Sequence, residues 1–71
     1  MAKITPLDRL FVTVFQNGIT RHFTELTGVN SFSDILNCMR TRIPGLNGMT
    51  VISVRNSTEG WTASHSVFFH S

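Results

Sequence analysis

One thiol is all that this chain has. Cys38 stands alone among 71 residues, so no internal disulfide and no cysteine-rich zinc site can form. The opening stretch, MAKITPLDRL, has neither a continuous apolar segment nor a small-residue cleavage pattern, and no secretion signal is expected. A lone thiol without an export signal fits the reducing cytoplasm. Nowhere does an apolar run approach the roughly 18 residues that a membrane-spanning helix requires, so no membrane partner is expected.

Charge is also scarce. Six Lys and Arg against four Asp and Glu leave a formal +2, a weak attraction for any polyanion. The basic set is skewed toward arginine, with Arg9, Arg21, Arg40, Arg42 and Arg55 beside Lys3, and the planar guanidinium suits phosphates, carboxylates and aromatic faces. Asp8, Glu25, Asp34 and Glu59 are scattered, so no carboxylate pair for acid and base work is indicated. The three histidines, His22, His65 and His70, show no metal-ligand spacing. Gly45 and Gly48 flank a helix end, where no phosphate loop forms. Cys38 falls beside an apolar helical stripe and reads as a small core or boundary residue. The expectation is a chain that is not an enzyme, with no cofactor and no metal.

What is present is strand and helix pattern. Leu10 to Gln16 is rich in β-branched and aromatic residues, and Asn17-Gly18 separates it from a second such run, Ile19 to Leu26. An Asn-Gly pair in this setting predicts a two-residue hairpin turn, because both central positions need positive φ. That turn sets Phe15 opposite Thr20, Val14 opposite Arg21, Thr13 opposite His22, Val12 opposite Phe23 and Phe11 opposite Thr24. Alternation then sends Leu10, Val12, Val14, Ile19 and Phe23 to one face, with Gln16, Arg21 and Glu25 at its margins. Phe11, Thr13, Phe15, Thr20, His22 and Thr24 go to the other. The residues before the hairpin, Lys3 to Asp8, are expected to approach in an extended form set by Pro6.

Ser31 followed by Asp34 resembles a helix capping box. Phe32, Ile35, Leu36, Met39 and Ile43 then form one apolar stripe at helical spacing, and Pro44-Gly45 ends it. MTVISVRN and WTASHSVFF predict two more strands around a loop at Ser57 to Gly60, with Asn56 opposite Trp61 and Val54 opposite Ala63. One face carries Ile52, Val54, Trp61, Ala63, His65, Val67 and Phe69. The other carries Met49, Val51, Ser53, Arg55, Thr62, Ser64, Ser66 and Phe68. Trp61 is read as packing at the rim of the core.

The whole chain, 1–71, is therefore expected to be one α+β domain: a two-layer ββαββ arrangement with one amphipathic helix on one face of a four-stranded antiparallel sheet. A single helix covers a single face. The uncovered one carries Phe11, Thr13, Phe15, His22, Val51, Arg55 and Phe68, the candidate interaction residues, together with Met49. Three phenylalanines of about 150 Å² or more each make an apolar patch that isolated soluble chains seldom expose. A second copy is the expected partner, giving a homodimer, either with the two sheets packed face to face over this patch or with unpaired strands joined edge to edge. It also supplies support that a domain of this size, burying only about 60% of its unfolded surface, cannot take from disulfides or metals. A different protein partner is one alternative. Nucleic acid is the other, either single-stranded, with bases stacked on the phenylalanines and phosphates met by arginines, or duplex DNA read by a β-ribbon or by the helix end bearing Arg40 and Arg42.

Overall fold

The computed structural model describes residues 3–70. Strand β1 spans Leu10–Gln16 and β2 spans Ile19–Leu26; helix α1 runs Phe32–Arg42, and β3 (Gly48–Asn56) and β4 (Trp61–Phe69) complete the chain. The four strands form one antiparallel sheet in the order β2-β1-β3-β4. The strand pairs on either side of the helix in sequence, β1 with β2 before it and β3 with β4 after it, thus build two hairpins joined along β1 and β3. The α+β arrangement is the expected one.

Each hairpin follows its turn chemistry. Asn17 and Gly18 take φ of 51° and 75°, the pair of positive values that a type I′ turn needs, and β1 and β2 pair from Gln16↔Ile19 through Val12↔Phe23 as the turn dictates. In the second hairpin Gly60 has φ 77°, its amide donates to the Asn56 carbonyl, and Asn56↔Trp61 and Val54↔Ala63 are partners.

The helix begins at Ser31, whose hydroxyl accepts from the Asp34 amide, while the Asp34 carboxylate accepts from the amide of Asn30. The capping exchange therefore reaches one residue further back than the usual box. At the other end the Ile43 amide still bonds the Met39 carbonyl, and Pro44 follows. Ile35 and Met39 are fully buried against Leu10, Val12, Val14, Ile52, Val54 and Phe69, with Phe32, Leu36, Ile43, Trp61 and Val67 packed around them. This is the single core between the two layers.

Three expectations are corrected. The β1–β2 register does not continue to Phe11 opposite Thr24: it shifts by one, so that Leu10 pairs with Leu26. Glu25 sits at that shift with φ 56°, in the left-handed region typical of a bulge residue. The extra residue turns Leu26 inward, and Leu26 is buried, although strict alternation assigns it to the other face. Ile19 lies on the helix side as expected, in a cleft with Val14 and Ile43, but it is not part of the core: it is 59% exposed. Pro6 does not set an extended approach. It occupies a turn closed by the Asp8 amide on the Thr5 carbonyl at 3.0 Å, the second turn position that its fixed φ favours.

That turn is held by a buried polar cluster. Asp8 accepts from the Thr5 amide, the Thr5 hydroxyl and the Asn56 side-chain amide. Asn56 in turn accepts from the Glu59 amide, and Ser57 and Thr58 bond the backbone of Arg9. The lead-in segment is thereby fastened to the β3–β4 loop.

Candidate functional site

Register places the sequence-derived candidates on one face and sorts them into rows across the sheet. Thr20, Phe15, Val51 and Ser66 form one row; His22, Thr13, Ser53 and Ser64 form the next; Phe11, Arg55 and Thr62 form a third. Rows on one face lie two residues apart along each strand, about 6.6 Å. Beyond the first row, Met49 pairs with Phe68.

The apolar members cluster at one end. Phe15 and Val51 are direct partners; Met49 lies two residues before Val51 on β3, and its partner Phe68 is diagonal to Val51, within reach for long and aromatic side chains. Their exposures are 44% for Phe15, 38% for Val51, 61% for Met49 and 55% for Phe68. No described element covers them. His70 extends the patch, its ring edge-on to Phe68 with centroids 4.9 Å apart. Its part was readable from its parity with Phe68, and only the ring contact was hidden.

The middle row is polar. The Thr13 hydroxyl and His22 Nδ1 lie 3.1 Å apart, within hydrogen-bonding distance. This row separates the apolar cluster from Phe11, which the candidate list joins to it. Phe11 is half-buried, and the Arg55 guanidinium lies over its ring, 4.5 Å from the centroid. A cation so placed is attracted by the ring face and shields it from water. The candidate residues thus share a face without forming one patch.

Positive charge is sparse here. Arg55 is the one arginine that register puts on the open face of the strands. Arg21 lies on the other side, lining a cleft with Val14, Ile19, Ile43 and Leu46, and Arg40 and Arg42 lie over the rings of Phe69 and Phe23. The cleft, about 170 Å³, is below the usual size of a small-molecule site. His65 is on the helix side, its ring 4.6 Å from that of Phe32. Among the described residues, no three His, Cys, Asp or Glu converge on a point where a metal ion would sit. No helix among them is long and apolar enough to cross a membrane.

No family model matches the chain, and neither a curated protein nor a solved structure is significantly similar to it.

Proposed function

We propose that this chain is a non-enzymatic interaction module whose working surface is the open sheet face, and that the surface pairs with a second copy of itself in the cytoplasm. The reading rests on one observation: Phe15, Val51, Met49 and Phe68 form an exposed apolar cluster rooted largely in the two central strands.

Self-pairing suits the charge pattern. The cluster is neutral, so two copies meeting face to face about a two-fold axis bring no like charges together at its centre. Four strands 4.8 Å apart over seven residues present roughly 440 Å² in projection, against about 800 Å² per partner in a standard interface. Association of this size is weak and depends on concentration. The cytoplasmic assignment rests on the single cysteine, Cys38, since small secreted domains are typically held by several disulfides.

Nucleic acid is the weaker reading. Stacking would need cations beside Phe15 and Phe68, whereas Arg21, Arg40 and Arg42 lie on the helix side and Arg55 is engaged with Phe11.

Light scattering across a concentration series, with and without single-stranded oligonucleotide, tests the proposal. The wild type is expected to rise above monomer mass with concentration, and Phe15→Glu to lose the part of that rise made through the face while keeping its circular dichroism spectrum. A wild type that stays monomeric at the highest soluble concentration overturns it. So does a mass increase that requires oligonucleotide.

A further inference from the structure

The two edges of the sheet differ in kind. Edge strands expose unpaired backbone donors and acceptors, and natural sheets blunt them with charges, prolines, bulges or shortness. The β2 edge is blunted: it carries Arg21 and Glu25, and its pairing is broken by the shift at Glu25. The β4 edge has none of these devices. Its nine residues, WTASHSVFF, include no Lys, Arg, Asp, Glu, Pro or Gly, and its pairing with β3 is unbroken from Gly48↔Phe69 to Asn56↔Trp61. Among the described residues, no strand pairs with its outer side.

We propose that β4 is a pairing edge for the β4 strand of a second copy, antiparallel about a two-fold axis at His65. The register follows from length. His65 is the midpoint of Trp61–Phe69, so an axis there pairs all nine residues, and any other centre leaves some unpaired. The symmetry also keeps the layers aligned. A two-fold axis normal to the sheet brings helix side to helix side, with Val67 opposite Ala63 of the second copy, and open face to open face, with Ser64 opposite Ser66.

Charge selects this occupant. A strand bearing Asp, Glu, Lys or Arg meets no counterpart of opposite charge among those residue types along β4, whereas a second β4 carries none of them. The inference goes beyond the face reading and stands or falls apart from it, because the edge uses backbone groups and the face uses Phe15 and its neighbours.

The test uses His65, which is exposed and lies on the helix side, away from the open face. Direct opposition puts the side chains of a cross-strand pair about 5 Å apart. His65→Lys and His65→Asp are each expected to raise the concentration at which mass doubles by up to about fivefold, and an equal mixture of the two to reverse that rise. Amide exchange supplies a second readout. In the monomer, alternate β4 amides point outward and exchange fast; in the paired state they are protected as well. Association unchanged by either variant, or fast alternate amides in a sample of doubled mass, overturns the inference. If Phe15→Glu abolishes association while the His65 variants do not alter it, the face reading survives alone. The reverse pattern leaves the edge alone.

Discussion

The Asn56 side-chain amide donates to the Asp8 carboxylate at 2.9 Å, joining positions 48 apart in sequence. Both residues are buried. Asn56→Ala removes this bond and the one to the Glu59 amide, leaving polar partners unpaired. The expected cost is about 2 kcal/mol, seen as a fall in Tm of roughly 8 to 16 °C for a domain of this size.

Hydrogen bonds from Asn56, and then from Thr5, hold the Asp8 carboxyl below its ordinary value of 3.8. The folded state therefore favours the carboxylate, and the unfolded chain takes up a proton first as pH falls. The stabilisation from Asp8 is complete above pH 5 and declines as the solution is acidified through pH 4 and below. Urea unfolding at pH 3, 4, 5 and 7 checks this. Asp8→Asn is expected to flatten the decline; an equally steep acid loss in that variant refutes the assignment.

Glu25 holds a left-handed backbone with φ 56°, which costs a residue with a Cβ roughly 1 kcal/mol. Glu25→Gly removes that strain and is expected to stabilise the fold by several tenths of a kcal/mol, after the extra entropy of glycine in the unfolded chain is subtracted. Thermal unfolding reads the sign. A lower Tm refutes the bulge geometry.

Met39 is fully buried beneath the helix, whereas Leu7 is exposed in the lead-in turn. Met39→Ala is expected to cost 2 to 5 kcal/mol through lost contacts and a cavity, enough to leave much of so small a domain unfolded. Leu7→Ala is expected to change stability by under about 0.5 kcal/mol. Circular dichroism melts of the two variants make the comparison.

Arg55→Ala exposes the Phe11 ring now under the guanidinium. The expected loss is about 0.5 to 1 kcal/mol, with Arg55→Lys retaining part of it. Equal stability of all three proteins refutes the contact.

Local chemistry was legible in the sequence. Asn17-Gly18 allows one tight turn and so dictates its register, Gly60 marks the second loop, and the stripe from Phe32 to Ile43, bounded by Ser31 and Pro44, is unambiguous. The open face followed from alternation. What escaped was set at longer range or by geometry without a residue signature. Glu25 is an unusual choice for a left-handed position, so nothing announced the bulge that buries Leu26. The exposure of Ile19 depends on how closely the helix end packs on the hairpin tip, and the Asp8–Asn56 bond depends on a meeting of distant segments. The division of the candidate face into an apolar end and the Phe11–Arg55 pair also needed cross-strand partners that only the β1–β3 register supplies.

The unequal borders of the sheet also limit how far it can grow. Joining two β4 strands uses up the receptive side of both molecules and leaves only β2, with its charges and its irregular step, facing outward at either flank. Accretion along that axis therefore halts at a closed pair rather than running on into a fibre.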